Sequence, residues 1–123
     1  MKTIATSDAP GAIGPYSQAI SIEGLVYTSG QIAIDPKTGE IDSSGIEAQT
    51  EQVMKNLSAV LKAAGTDLTK AVKTTCFLKD IRDFAAFNAV YGRYLTGRPA
   101  RSCVEVSNLP KGALVEVEVI AEI

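Results

Sequence analysis

The chain ends on "ALVEVEVIAEI", residues 113–123, and this alternation constrains the fold more than any other stretch. Successive side chains of an extended segment point to opposite faces. Val115, Val117 and Val119 therefore share one face, and Leu114, Glu116, Glu118 and Ile120 share the other. The valine face demands cover by other apolar elements. The second face is too apolar for plain solvated surface and too charged for a closed core. It suits a partly buried interface in which charges are held in restricted space.

The rest of the chain supplies two helices and several strands. "YSQAISIEGLVYTSGQ" reads as a hairpin, Tyr16 to Ile22 and Leu25 to Thr28, turning at Glu23-Gly24. "DPKTGE", Asp35 to Glu40, is a turn. Ser44 with Glu47 forms a capping box for a helix carrying Ile46, Val53, Leu57, Val60, Leu61 and Ala64, which Gly65 stops. "AVKTTCFLKD" alternates as a strand, with Val72, Thr74, Cys76 and Leu78 on one side. Asp80 or Asp83 caps a second helix striped with Phe84, Phe87, Tyr91, Tyr94 and Leu95, ended by Gly97 and Pro99. "RPARSCVEVSNLP" follows as another strand.

These elements make five strands, or six if Lys2 to Ala5 also pairs. Two helices cannot cover both faces of such a sheet. The expected fold is α+β, a mixed five- to six-stranded sheet with both helices on one face, formed by residues 1–123 as one domain. The uncovered face must meet water or another subunit. A length of 123 residues suffices for a core without disulfides.

Composition narrows the chemistry. The net charge is −2 and no basic run is present, which argues against nucleic-acid binding through phosphate contacts. The start lacks the apolar run of a signal peptide and no segment is long enough to span a bilayer, so a cytoplasmic location with reduced thiols is expected. The chain contains no histidine and only two cysteines, Cys76 and Cys103. Ser-His and Cys-His pairs and His-ligated metals are excluded, and no metal site is expected. Catalysis here has to rest on carboxylates, tyrosine, arginine, backbone groups and water.

The strand Arg98 to Pro110 concentrates the interest. Arg101, Cys103 and Glu105 lie on one face, and Ser102, Val104 and Val106 on the other. If Val104 and Val106 join Val115, Val117 and Val119 under the helices, Arg101 and Cys103 lie opposite. They then share the open face with Glu116 and Glu118.

"PARSCVEV", "LP" and "VEVEVIA" resemble the C-terminal signature of the Rid proteins, the reactive intermediate deaminases, in particular the RidA subgroup. "GPYSQAI" and "YTSGQI" are similar to its N-terminal blocks, and "NLSAVLKAAG" and "FNAVYGRYL" to its central ones. Ala33 departs from the proline frequent after "SGQI". The resemblance implies a homotrimer whose sheets line a central barrel, with sites in clefts between subunits. It implies hydrolysis of 2-imino acids, such as 2-iminopropanoate and 2-iminobutanoate, or their enamine tautomers, to 2-oxo acids and ammonia, without cofactor.

Carried over by position, Arg101 binds the substrate carboxylate and Glu116 orients or activates water. Tyr16 belongs to the first block, and Ser29 with Gly30 lies beside the ligand. Asn88 and Cys103 fall at or near the pocket. The residues alone leave other readings open: Arg101 as a surface charge, Glu116 and Glu118 as a solvated face, Tyr16 as an interface aromatic, Ser29-Gly30 as turn chemistry. Two other functions stand beside the deaminase: a regulatory trimer that binds small carboxylates and acts through protein partners, and a ribonuclease or translation inhibitor.

Overall fold

The computed structural model describes residues 1–41 and 44–123. The strands are β1 (Lys2–Ile4), β2 (Ala19–Ile22), β3 (Leu25–Thr28), β4 (Ala71–Leu78), β5 (Ala100–Glu105) and β6 (Val115–Glu122), and the helices are α1 (Ile46–Ala63) and α2 (Phe84–Tyr94). They form one six-stranded sheet in the order β1-β2-β3-β6-β4-β5. Only β4 and β5 pair parallel; every other neighbour is antiparallel. The mixed α+β sheet expected from the sequence is the one observed.

The β2–β3 hairpin turns at Glu23-Gly24, as the sequence implies. Both residues have positive φ, 50° and 81°, the backbone a two-residue turn needs to match strand twist. β6 lies between β3 and β4, so its two faces decide the layers. Val115, Val117, Val119 and Ala121 are buried beneath the helix layer, together with Val26, Cys76 and Leu78.

Helix α1 adds Val53, Leu57, Val60 and Leu61, and α2 adds Phe87 and Tyr91, to the same core. Replacing Leu57 or Leu61 by alanine would cost about 2–5 kcal/mol by cavity formation. The end of α1 follows expectation: Gly65 has φ 89°, its N–H donates to the Lys62 carbonyl, and that of Thr66 donates to the Leu61 carbonyl. Its start differs. The N-cap is Gly45, with φ 116°, rather than Ser44.

Helix α2 begins in two steps. The Asp80 carboxylate accepts from the Arg82 N–H and caps a single 3₁₀ turn, Ile81–Asp83, which runs into α2 without a side-chain cap at Asp83. Both candidate aspartates thus sit at the entry, but only Asp80 caps. β4 also departs from simple alternation. A register shift between Ala71 and Lys73 leaves Val72 outside the ladder and half-exposed. One extra residue reverses the phase of everything before it.

The largest correction concerns β5. Its parallel pairing sets Arg101 beside Thr74, Cys103 beside Cys76 and Val104 beside Phe77. β4 in turn sets Thr74 beside Val119, Cys76 beside Val117 and Phe77 beside Glu116. Arg101 and Cys103 therefore lie on the helix-covered face, and Val104 lies on the open face with Glu116 and Glu118. The expectation that Arg101, Cys103 and Glu116 share one face of the sheet is wrong within a single chain. β5 is an edge strand, and an arginine there reaches water past the rim of the helix layer, so its valines were no guide to the buried side.

Candidate active site

Glu116 projects from the middle of β6 onto the open face. Beside it the chain leaves β3 and runs through Ser29, Gly30 and Gln31. Gln31 and Val117 exchange backbone hydrogen bonds, N–H to carbonyl at 2.9 and 3.2 Å. This two-bond clamp lays Gly30 against the Glu116 side chain. A Cβ on Gly30 would stand 2.0 Å from Glu116 Oε2 and 2.8 Å from its Cδ. The carboxylate rests directly on bare backbone, and a side chain on residue 30 would force it to move.

Glu116 is half-buried, and its proton affinity is raised above that of an ordinary carboxyl, first by burial and then by the neighbouring charge of Glu118. It lines a cavity of about 440 Å³ together with Tyr16, Ser29, Gly30, Ile34 and Lys111. Tyr16 is half-exposed at the rim. Lys111 enters from the loop before β6, held with φ 57°.

Buried amides hold the cavity walls. The Gln18 amide accepts from the Thr6 N–H at 2.7 Å and donates to the carbonyls of Thr6 and Pro10 at 3.1 and 2.7 Å. It thereby folds the N-terminal loop back over the cavity. The Ser29 hydroxyl donates to the Ser17 carbonyl at 2.6 Å, tying the Tyr16 segment to the Gly30 segment. From α1, Asn56 donates to the carbonyls of Ile32 and Ile34 at 3.1 and 2.9 Å. Leaving such buried groups unpaired costs about 1–3 kcal/mol each, so these amides are structural commitments.

A second cluster lies at the β5 edge. The Arg101 guanidinium donates to Asn88 Oδ1 at 2.7 Å. Its Cζ stands 4.8 Å from the Tyr91 ring centroid and 5.4 Å from that of Phe84. Cation–π contact and one amide bond fix the fork on the α2 surface. The Tyr91 hydroxyl is bonded to Thr74 at 2.6 Å, which holds the ring. Among the described residues, Arg101 forms no ion pair with a carboxylate. Its remaining donors suit a planar anion. Cys103, half-buried two residues on, has its thiol pushed up by burial, a shift that Arg101 opposes.

The predicted residues thus divide into two groups. Tyr16, Ser29, Gly30 and Glu116 gather at the cavity; Asn88, Arg101 and Cys103 gather at the β5 edge. Gln18, Asn56 and Lys111 were missed. Asn56 had a signal, a polar residue inside the apolar stripe of α1. Gln18 had one too, an amide immediately before the buried Ala19. Lys111, in a Pro-Lys-Gly turn, carried none.

The comparisons with known proteins agree over nearly the whole chain. A family model described as Endoribonuclease L-PSP matches residues 6–123. A Lactococcus lactis protein named as a regulator, AldR, is 57% identical, covering 100% of this chain and 98% of its own. The 2-iminobutanoate/2-iminopropanoate deaminase of Salmonella typhimurium is 49% identical, covering 98% and 96%. Among solved structures, the Rid-family protein YyfA of Yersinia pestis superposes with a TM-score of 0.96 at 55% identity, over 99% and 98% of the two chains. With a match of this extent in sequence, fold and family model, the chain belongs to the Rid (YjgF, L-PSP) family.

Proposed function

We propose that this protein hydrolyses reactive 2-imino acids and their enamine tautomers, with 2-iminopropanoate and 2-iminobutanoate as substrates, to 2-oxo acids and ammonia. The observation that carries the reading is Glu116: a half-buried carboxylate of raised proton affinity, resting on Gly30 in a cavity of small-molecule size. The names of several relatives support the same activity.

The chemistry asks for two things. The imine carbon has to be fixed, and one water has to be deprotonated as it attacks. Arg101 takes the substrate carboxylate through two parallel hydrogen bonds. Glu116 accepts the proton of the water that adds to the protonated C=N bond. The resulting carbinolamine receives a proton on nitrogen, and as the C–N bond breaks its hydroxyl gives up a proton to water, leaving ammonia and the 2-oxo acid. Because such imines react with water unaided, positioning and electrostatics are sufficient help. Tyr16 at the rim serves substrate or water by hydrogen bonding.

Arg101 and Glu116 occupy opposite faces of one sheet, so a site that uses both draws them from two copies. The open face supports this. It carries Ile20, Tyr27, Phe77, Val104 and Ile120 around Glu116 and Glu118, with Val104 46% and Tyr27 42% exposed. Exposed large apolar groups gathered on one face call for cover. In the homotrimer of this proposal, the open faces meet around a central axis, and each cavity receives Arg101, Asn88 and Cys103 from the neighbouring copy.

The test couples the protein to a pyridoxal-phosphate dehydratase that releases the imine. Loss of the imine and release of pyruvate or 2-oxobutanoate should accelerate with wild type and not with Arg101→Ala. Equal rates with and without protein would remove the reading. The regulatory alternative draws on the name of one relative, and carboxylate binding by calorimetry without turnover would favour it.

A further inference from the structure

Cys76 of β4 and Cys103 of β5 are paired in register, and both thiols are free. They are the only cysteines in the chain. Both project onto the helix-covered face, Cys76 fully buried and Cys103 half-buried at the edge. Neighbouring strands lie roughly 4.8 Å apart, and a disulfide accepts Cα separations of about 4.4–6.8 Å. Each thiol already perturbs the proton affinity of the other. The hydrolysis proposed above needs neither sulfur as a nucleophile.

We propose that Cys76 and Cys103 form an oxidisable dithiol that closes to a disulfide across the β4–β5 ladder when a low-molecular-weight disulfide is the oxidant. Exposure sets the order of events. The Cys103 thiolate attacks one sulfur of the oxidant RSSR, forming the mixed disulfide Cys103–S–S–R and releasing RS⁻. Cys76, after giving up its proton, attacks Cys103 Sγ and displaces the second RS⁻. The two thiols lose two electrons and two protons, and RSSR becomes two RSH. The buried Cys76 needs no solvent access, because the sulfur it attacks is its ladder neighbour.

Burial raises the pKa of both thiols, that of Cys76 to about 12. Thiolate is therefore scarce at neutral pH, and closure is slow. Arg101 lies two residues before Cys103 on the same face, so drawing Cys103 toward β4 shifts the guanidinium on Asn88 and Tyr91. This consequence for activity rests on the proposed imine hydrolysis; the disulfide itself does not.

The experiment incubates native protein with glutathione disulfide, alkylates the remaining thiols and measures intact mass and linked peptides. The expected product is a chain about 2 Da lighter, with no alkylated cysteine and one peptide pair joining Cys76 to Cys103. Cys76→Val, an apolar replacement suited to the core, should instead retain glutathione on Cys103. Wild type that keeps the glutathione adduct, keeps two free thiols or links between chains would overturn the proposal. Imine hydrolysis by the oxidised chain should fall about tenfold and return with dithiothreitol. Full activity in a chain shown by mass to carry the disulfide would overturn the effect on Arg101 and leave the dithiol standing.

Discussion

The cavity beside Glu116 and the Arg101 cluster at the β5 edge are built by different means. The cavity is made of loops, held by backbone bonds to β6 and by the buried amides of Gln18 and Asn56. Its acid rests on a glycine, and a side chain there would displace it. The Arg101 cluster is made of side chains on regular elements: an edge strand, two aromatic rings of α2 and one amide. Among the described residues, Glu116 of the cavity and Arg101 of the cluster each form no ion pair. They stand on opposite faces of one sheet, so under the proposed hydrolysis each supplies half of the chemistry.

The strongest test of that comparison is complementation. Arg101→Ala and Glu116→Ala should each lose about 10²-fold or more in kcat/KM. Co-expressed, the two inactive variants should recover activity, because about a quarter of the sites in a cyclic trimer then receive both native groups. No recovery from properly assembled mixed oligomers would break the two-copy site. The pH profile sharpens the role of Glu116. In the proposed hydrolysis it is a base only when ionised, so kcat/KM should rise with pH above the ordinary carboxylate range, and Glu116→Gln should abolish that rise.

Linkage gives the matching stability result. A proton bound more tightly in the folded state contributes stability that is full below the unfolded pKa and is lost as pH rises through the folded value. Gln, uncharged throughout, should therefore raise the unfolding midpoint at neutral pH. A lower midpoint would count against desolvation as the cause.

Gly30→Ala comes next. Moving the carboxylate by about 1 Å should cost about 10²-fold in activity while the Arg101 cluster still binds a carboxylate; unchanged turnover would show that Glu116 has room to spare. Gln18→Ala should destabilise the fold by about 1–3 kcal/mol, read by denaturant titration. The loss should appear at the N-terminal loop by hydrogen exchange before α2 responds. Tyr91→Phe should likewise cost about 1–3 kcal/mol, because it takes from the buried Thr74 hydroxyl its Tyr91 partner. The ring stays beneath Arg101, so KM should hardly change, and a large rise in KM would mean that the hydroxyl orients the guanidinium.

Much of this was legible in the residues. The alternation of residues 115–120 announced a covered face and a mixed face, and both are present. The helical stripe from Ile46 to Leu61 and the stop at Gly65 follow from local propensity and capping, which act over a few residues. Tyr16, Ser29, Gly30 and Glu116 could be named because their blocks resemble a family, and the fold brings them to one cavity. The roles of Gln18 and Asn56 were harder to see, since their partners are backbone groups 8–24 residues away. No local pattern marks a backbone carbonyl as needing a donor.

What the sequence determined by itself is periodicity: which side chains of a segment travel together, where a helix stops, which chemistry is absent with histidine. Only the tertiary structure decided which of β5's two faces lies under the helices. Alternation makes Arg101 and Cys103 companions, but it leaves a binary choice that the register with β4 resolves. The physical reason is that an edge strand is covered weakly on both sides. The burial of two valines does not outweigh an arginine stem laid over Tyr91 and Phe84, and the pairing partner sets the phase.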